Sequence, residues 1–363
     1  MSESSAAALG ARRATVSPSK PLGVGFLNCG PRGRDVMQAV RAEPRLRFIA
    51  GYDPNTEAKE AFCREFGGEP AASLEALVAR PEIDLVMVLV PAFLHKENCL
   101  AALAAGKHVF VEKPFALNLA DCLEIVRAAR SRGLCLYVDQ QFRHIKPCPQ
   151  VRAWAHSGEY GEPFLMHAEI RSGDGAYRGA GAKGWREDVA KFGGFLFEMG
   201  VHELDQVLAV MGPATGVQAR VIRRRHAPQQ VEDVIELWIE HAGGRQSSAR
   251  FTTIDPGADV RSQQVYCEHG TIEASFAEGG WVRALDRNGR QLARLTATES
   301  TGPDEPVGVL LAELIDAIAQ GEGRLLGQNG LATVALAEAA HRSAREGRAV
   351  MVPSVHTLLS DPA

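Results

Sequence analysis

Hydrophobic positions follow two different patterns along the chain, and the change falls near residue 145. From residue 21 to about residue 141, short apolar segments alternate with stretches whose apolar residues recur at helical spacing. This alternation is typical of repeated strand–helix–strand units around a parallel sheet. It predicts strands at 22–27, 47–52, 84–90, 107–111 and 134–138, and helices at 34–41, 56–66, 74–79, 94–105 and 119–132. Ser73 is placed to cap a helix, whereas Gly106 and Gly133 are placed to end one.

The second half of the chain contains longer strand-like segments, at 164–170, 216–222, 231–239 and 248–253, with few helical stretches between them. Strands that follow one another in this way pair mostly antiparallel and carry their helices on one face. Two helical patterns, at 307–319 and 331–344, end the fold. We therefore predict an α/β domain at 21–145 and an α+β domain at 146–363, after a flexible arm at 1–20.

Length and charge support a two-domain globular protein and exclude several kinds of partner. A chain of 363 residues exceeds the size at which one hydrophobic core usually stops growing. The formal charge of −4 gives no electrostatic reason to expect nucleic acid or an anionic membrane as a partner. The basic cluster at 223–226 is interpreted as a solvated strand edge or turn.

Cysteine usage and hydropathy indicate where the protein works. The seven cysteines are scattered and never spaced as Cys-x-x-Cys, so they indicate neither a disulfide framework nor a zinc site. We predict no metal site and a reducing, cytoplasmic compartment. The first twenty residues contain no apolar run long enough for a signal peptide or a membrane span.

The first predicted strand is followed by a turn that could hold a dinucleotide. Its residues are Asn28-Cys29-Gly30-Pro31-Arg32-Gly33, directly before a helical pattern. Glycines at this place let the backbone approach a pyrophosphate, whose charge rests on the free N–H groups of the helix. Asn28 stands where the Gly-x-Gly-x-x-Gly pattern has its first glycine, and asparagine tolerates a left-handed turn. Taken alone, the segment fits an ordinary strand-to-helix turn equally well.

The second predicted strand is followed by an acidic residue, Asp53, about twenty residues after the glycine turn. A carboxylate at this place can accept hydrogen bonds from an adenosine ribose. It also repels a 2′-phosphate, and no arginine immediately follows it, so the sequence favours NAD over NADP. The alternative is that Asp53 is only a turn residue before Pro54.

Two further segments carry groups suited to acid–base chemistry. Glu112-Lys113-Pro114 ends a buried strand at the edge of a parallel sheet where ligands bind. There a lysine can hold a substrate oxygen, although a surface Glu–Lys pair is the alternative. Glu198, His202 and Asp205 fall at i, i+4 and i+7, on one face of a predicted helix. Their alternative role is structural.

Together these segments resemble the Gfo/Idh/MocA family, the group of glucose-fructose oxidoreductase and inositol dehydrogenase. The resemblance covers nearly the whole chain after Lys20, and its most specific parts are Glu-Lys-Pro and the Gly-x-His helix. It rests on the glycine turn, Pro91 with His95, Ala105-Gly106-Lys107-His108-Val109, Glu112-Lys113-Pro114, Trp185-Arg186, Gly193-Gly194 and Gly200-Val201-His202-Glu203-Leu204-Asp205.

The resemblance implies an N-terminal Rossmann domain and a C-terminal domain whose large open sheet forms dimers or tetramers. It places Lys113 and His202 at the substrate hydroxyl, and Glu198 as the acidic third member, where the family usually has aspartate. The cofactor would contact Asn28, Gly30, Pro31, Arg32, Gly33, Asp53, Pro91, His95, Glu112 and Lys113. The substrate would contact Arg143, Trp185 and Arg186, and the Lys113–Pro114 peptide would be cis.

We therefore expect an NAD-dependent oxidoreductase that moves a hydride between nicotinamide and a hydroxyl-bearing carbon of a sugar or polyol. His202 is the predicted base, because its unperturbed pKa lies nearest neutrality. Lys113 would polarise the same oxygen and Glu198 would orient the imidazole. Two alternatives remain: a redox-neutral glycosidase with a retained NAD, and a non-catalytic sensor of dinucleotide or sugar. Retention of both Lys113 and His202 argues against the sensor.

Overall fold

A computed structural model describes residues 20–173, 185, 188–225, 231–255, 257, 260–276, 279–300, 302, 305–321 and 328–360. Except for Lys20, the expected arm at 1–20 lies outside them. The first half contains helices α1 to α6 at Pro31–Ala42, Thr56–Phe66, Leu74–Val78, His95–Ala104, Leu119–Ser131 and Cys148–Ala155. Its strands β1 to β6 are Leu22–Leu27, Leu46–Tyr52, Glu69–Pro70, Leu85–Val88, His108–Glu112 and Leu136–Asp139.

The first sheet is parallel throughout, with the strand order β3–β2–β1–β4–β5–β6. Helices cover both faces, so strands such as Leu85–Val88 are buried along their whole length. The strand order reverses between β1 and β4, and the carboxyl ends of the strands there border an open crevice, where ligands of such sheets bind. The predicted parallel-sheet α/β fold is confirmed.

Local signals set the ends of several helices. The side chains of Asn55, Ser73 and Asn118 each accept a hydrogen bond from a backbone N–H in the first turn of the helix that follows. The observed strand Leu85–Val88 is shorter than predicted. Just before it, Asp84 Oδ2 accepts a hydrogen bond from the N–H of Gly23 at 2.8 Å.

The second half of the chain is built on a nine-stranded sheet. Its strands β7 to β15 are Pro163–Arg171, Ala214–Ile222, Val234–His241, Gln246–Thr252, Val260–Cys267, Gly270–Ser275, Trp281–Asp286, Gln291–Thr296 and Val350–Met351. Their order is β14–β13–β12–β11–β7–β10–β9–β8–β15, and only β7 and β10 pair in parallel. This mostly antiparallel sheet confirms the predicted second fold class.

The helices of this half are α7 to α11 at Val189–Phe192, Val201–Met211, Pro306–Ala319, Gln328–Glu346 and Val355–Ser360. A π-helical turn, Leu196–Gly200, leads directly into α8. Helices α8 and α10 pack on the sheet and share one core with the inner face of the first domain. Helix α9 instead packs against α1 in the core of the parallel sheet. The chain after residue 305 therefore stabilises both halves, while the boundary near residue 145 stays a prediction.

Candidate active site

A cleft of about 500 Å³ lies between the carboxyl edge of the parallel sheet and the start of α8. One wall is the glycine turn and the ends of β4 and β5, and the other is the π-helical turn with His202. Its described lining residues are Asn28, Pro31, Arg32, Asp35, Leu89, Val90, Pro91, Ala92, Glu112, Lys113, Pro114, Gln141, Trp185, Glu198 and His202. Nine residues predicted for the site therefore border one space.

The glycine turn is closed by the asparagine that replaces its first glycine. Asn28 adopts a φ of 99°, and it is the only non-glycine residue with positive φ in the described part of the chain. Its side-chain oxygen accepts from the N–H of Gly30 at 2.7 Å, while its amide nitrogen donates to the carbonyl of Leu89 at 2.7 Å. Gly33 packs so closely that an added Cβ would lie 2.3 Å from the carbonyl oxygen of Asn28.

This turn leaves the start of α1 open toward the cleft. Gly30 is the N-cap residue, and no side chain makes a capping hydrogen bond with the first N–H groups of the helix. A helix start of this kind favours an anionic group such as a pyrophosphate. The carboxylate of half-buried Asp53 stands beside the turn, where Oδ2 accepts from the N–H of Cys29 at 3.0 Å and Oδ1 from that of Asn55 at 2.9 Å. The donors and the acid thus fit a dinucleotide.

Arg32, in the first turn of α1, joins that helix to the ends of β5 and β6. Its Nε donates to Glu112 Oε2 at 2.6 Å, and one of its terminal nitrogens donates to Asp139. Burial, together with the nearby charge of Glu112, raises the pKa of Asp139 to about 8. Asp139 therefore keeps its proton at neutral pH. Arg32 lines the predicted cofactor site, but its charge is committed to these acids.

Lys113 connects the two domains. Its Nζ donates to the backbone carbonyl of Glu198 at 2.6 Å, across the cleft from β5 to the π-helical turn. The Lys113–Pro114 peptide is cis, as the resemblance implies. The lysine amine is therefore held at the wall that also carries His202.

His202 lies at the start of α8 with only 3% of its surface exposed. Burial, then the positive charges of Lys113, Arg261 and Arg32, lower its pKa well below the usual value. The ring therefore stays neutral at physiological pH and is able to accept a proton. Lys113 and His202, predicted to meet at one oxygen, line the same cleft.

The expected hydrogen bond from Glu198 to His202 does not form between these two described residues. His202 Nδ1 is buried and has no hydrogen-bond partner within the described structure. The reason lies in the backbone: Glu198 stands in a π-helical turn, where the spacing of an α-helix does not hold. Asp205, the third residue of the predicted polar stripe, has the structural role given as the alternative, because it is buried and paired with Arg143.

His95 supports the cleft wall from behind. It is fully buried, with Nδ1 2.9 Å from the carbonyl oxygen of Pro114 and Nε2 2.8 Å from that of Val90. Both ring nitrogens are thus directed at backbone groups, and neither is available to a cofactor. The prediction that His95 contacts the cofactor is corrected to a role in holding Val90 and Pro114, two residues of the cleft lining.

The three predicted substrate contacts have different positions. Trp185 lines the cleft. Arg143 does not, because its Nε donates to Asp205 Oδ2 at 2.7 Å and its side chain is largely buried. This ion pair lies under α8, and the contact of Arg143 with the substrate stays a prediction. Arg186 lies outside the described residues.

Several residues near the cleft carried no sequence signal. Gln141 and Asp35 line it, although neither belongs to a recognisable pattern. Phe142 stacks on His202 with ring centroids 3.7 Å apart and planes at 13°. Arg261 also lies over the Phe142 ring, with Cζ 4.4 Å from its centroid. Only the folded chain brings together side chains so distant in sequence. Among the described residues, no three acidic, histidine or cysteine side chains form a metal-binding group.

The geometry agrees with matches to two family models that adjoin along the chain. Residues 22–140 match the model described as "Oxidoreductase family, NAD-binding Rossmann fold" of the Gfo/Idh/MocA group. Residues 149–273 match the model of its C-terminal domain. The matches thus cover the parallel sheet, the cleft and most of the antiparallel sheet.

Curated relatives include named reductases and dehydrogenases. The chain is 27% identical to 1,5-anhydro-D-fructose reductase from Ensifer adhaerens, over 87% of this chain and 94% of that protein. It is 36% identical to inositol 2-dehydrogenase from Gluconacetobacter diazotrophicus, but over 42% of this chain and 46% of that protein. The chain also spans about half of several other relatives that it matches, such as an uncharacterized oxidoreductase from Streptococcus pneumoniae.

The fold agrees with that of a solved enzyme complex. Levoglucosan dehydrogenase with NADH and levoglucosan superposes with a TM-score of 0.80 at 20% identity, over 92% of this chain and all of that one. At this identity the likeness concerns the architecture alone. The described helices include none long and apolar enough to cross a membrane. From its two family matches and its fold, the chain belongs to the Gfo/Idh/MocA family of oxidoreductases.

Proposed function

We propose that the protein is an NAD-dependent dehydrogenase acting on a secondary hydroxyl of a sugar, a polyol or a closely related small molecule. The observation that carries this proposal is the meeting of Lys113 and His202 at one cleft beside the glycine turn. The cleft is small and mostly polar, which suits a hydroxylated substrate. The names of the relatives, several of which are sugar or inositol oxidoreductases, support the same substrate class.

The roles follow from the protonation states and positions of these side chains. A bound nicotinamide would accept the hydride that leaves the reacting carbon of the substrate. Burial and the surrounding cations keep the pKa of His202 low, so its ring is neutral before the reaction. In this neutral form it can accept the proton of the substrate hydroxyl. The Lys113 ammonium, oriented by the carbonyl of Glu198, donates a hydrogen bond to the same oxygen and stabilises its negative charge. Trp185 offers a flat apolar wall to a sugar ring.

The preference for NAD rests on Asp53. Its carboxylate is held by two backbone N–H groups beside the glycine turn, where it would accept from the ribose hydroxyls and repel a 2′-phosphate. Arg32, the nearest arginine of the turn, is paired with Glu112 and Asp139. It is therefore poorly placed to neutralise an added phosphate.

The test is a panel of sugars and polyols, monitored for NADH with the purified protein, after mass spectrometry for any retained dinucleotide. We expect turnover of at least one panel member. Lys113→Ala should lower kcat by about three orders of magnitude, in the range found for loss of a transition-state donor. It should leave NADH binding unchanged. Undiminished activity in that variant, or release of a free sugar without net NADH, would refute the assignment.

We also propose that copies of the chain pair through the outer face of the antiparallel sheet. That face carries a groove of about 910 Å³ lined by residues of opposite charge, among them Arg220, Arg250, Glu169 and Glu236. Trp238 lies there with 44% of its surface exposed. A face with both charge signs and a large aromatic residue is suited to bind a second copy of itself. Trp238→Asp should convert the dimer or tetramer to a monomer in light scattering; an unchanged mass would contradict the proposal.

A reducing, cytoplasmic location is proposed from the cysteines. All seven are buried as thiols. Oxidising compartments favour disulfides in secreted proteins, so this usage supports the cytoplasm. Localisation of a tagged protein by cell fractionation tests it, and recovery in a secreted fraction would contradict it.

A further inference from the structure

Behind His202, four flat groups form one continuous stack. The imidazole lies on Phe142, with ring centroids 3.7 Å apart and planes at 13°. The guanidinium carbon of Arg261 lies over the Phe142 ring, 4.4 Å from its centroid, and over the Phe276 ring, 4.7 Å from that centroid. The stack brings together helix α8, the segment after β6, strand β11 and the segment after β12.

Arg261 is fixed in this stack by a buried acid from the helix of His202 itself. Its Nε donates to Glu203 Oε2 at 2.5 Å, and Gln263 binds the other oxygen of that carboxylate. Glu203 is fully buried, and the Arg261 side chain is 16% exposed. Nη2 of Arg261 is buried without a hydrogen-bond partner among the described residues. That part of the guanidinium therefore directs its charge at the aromatic rings.

We propose that Phe142 and Arg261 are positioning residues for the proposed reaction, which fix the plane of His202 and keep its imidazole neutral. This inference rests on the proposed function, because it assigns a consequence to His202 acting as the base. The orphaned Nδ1 gives the physical reason. With no hydrogen bond from a neighbouring acid to orient the ring, orientation must come from packing, and the face-to-face contact with Phe142 supplies it.

The charged groups around His202 also favour the neutral form of its imidazole. Protonation would place a second cation against the Phe142 ring that Arg261 already covers, and like charges this close repel. Lys113, Arg32 and Arg261 all lower the pKa of His202, after burial. The remaining charges around α8 are largely paired: Asp205 binds Arg143, and Glu203 binds Arg261. Arg152 of α6 donates to the Arg143 carbonyl and adds positive charge, while Glu198 contributes its carbonyl to Lys113.

The test compares Arg261→Met, which removes the charge but keeps an apolar stem, with Arg261→Lys, which keeps the charge. NMR titration of His202, assigned by its loss in His202→Asn, reads its pKa without turnover. In Arg261→Met we expect an increase of about one pH unit, the size of an interaction between close charges. In Arg261→Lys we expect less than about half of that. The acid limb of the kcat/KM profile should move to higher pH by the same amount.

A double variant and a control separate this effect from general damage. Arg261→Met leaves Glu203 unpaired, so the shift should persist when Glu203→Gln is added. Arg283→Met is the matched control, because Arg283 also covers an aromatic ring, Trp281, and pairs with a glutamate, Glu273, but away from the cleft. Its pH profile should equal that of the wild type.

Phe142→Leu tests the positioning role separately. The variant keeps an apolar side chain but loses the flat face, so we expect kcat to fall about tenfold with the KM for NAD unchanged. An unchanged His202 titration in Arg261→Met, or full kcat in Phe142→Leu, overturns the inference. If His202→Asn itself retains full activity, the proposed function fails instead, and the titration still decides whether Arg261 sets the pKa of the ring.

Discussion

Replacement of Gly33 by alanine is the sharpest test of the glycine turn. Gly33 faces the strand side of α1, and its added Cβ would lie 2.3 Å from the carbonyl oxygen and 3.2 Å from the carbonyl carbon of Asn28. Non-bonded heavy atoms are comfortable at about 3.5 Å, so the turn and the helix would have to separate by roughly 1 Å. Asn28 resists this movement, because its backbone N–H donates to Tyr52 and its side chain to Leu89.

The expected cost combines two opposing effects. Overpacking of this kind costs about 1–3 kcal/mol, whereas an alanine inside a helix gains up to about 1 kcal/mol over glycine. The free energy of unfolding should therefore fall by about 1–2 kcal/mol. Because the displaced backbone is also the proposed pyrophosphate site, the Kd for NADH should rise by at least about tenfold, which is about 1.4 kcal/mol.

Urea denaturation followed by circular dichroism gives the stability change, and NADH fluorescence titration gives the Kd. Gly308→Ala is the matched control: it lies in helix α9, and the nearest atom to its added Cβ is the flexible Glu305 side chain at 3.4 Å. This variant should bind NADH as the wild type does. If Gly33→Ala is within about 0.5 kcal/mol of the wild type in stability and binds NADH equally well, the close approach has no functional meaning.

Three more substitutions test separate parts of the site. Asp53→Asn should lower the ratio of KM for NADP to KM for NAD about tenfold, as steady-state kinetics can measure; an unchanged ratio would remove Asp53 from coenzyme choice. Burial raises the pKa of Asp139 from its ordinary value of 3.8 to about 8, so the stability from its bound proton is complete only below 3.8 and is lost progressively as pH rises from there through 8. Asp139→Asn, which cannot lose a proton, should therefore melt further above the wild type at pH 9 than at pH 5, and an equal difference at the two pH values would contradict this sign. Glu232 accepts from the backbone N–H of Phe195 and from His341, so Glu232→Gln should lower the free energy of unfolding by about 2 kcal/mol; equal urea midpoints would show that this contact is dispensable.

Local signals made much of the fold predictable from the sequence. Helix Thr56–Phe66 has the predicted bounds because Asn55 caps its start and Gly67, at a φ of 81°, ends it. Gly106 and Gly133 likewise adopt the left-handed conformation expected after α4 and α5. Each of these signals acts within a few residues, which is why the chain order alone reveals it.

The contacts that organise the cleft could not be predicted in this way. The spacing of Glu198 and His202 indicates a shared face only if the intervening turn is α-helical, and it is π-helical. Arg261 meets Glu203 from 58 positions away along the chain, and no periodic pattern marks such a pair. His95 carried a motif signal, but its burial behind the cleft depends on how β5 and α4 pack.

The polar residues next to His202 therefore have different roles, although they lie close together in the sequence. Glu203 and Asp205 follow the histidine in sequence, yet each is buried against an arginine from another element, Arg261 and Arg143. Breaking one buried ion pair leaves an uncompensated charge and costs about 3–5 kcal/mol. These two acids consequently fix the position and rotation of α8, and so decide where the imidazole stands. Of His202, Glu203 and Asp205, only the histidine lines the cleft, which explains how three neighbouring charged or polar side chains can serve a reaction that requires one base.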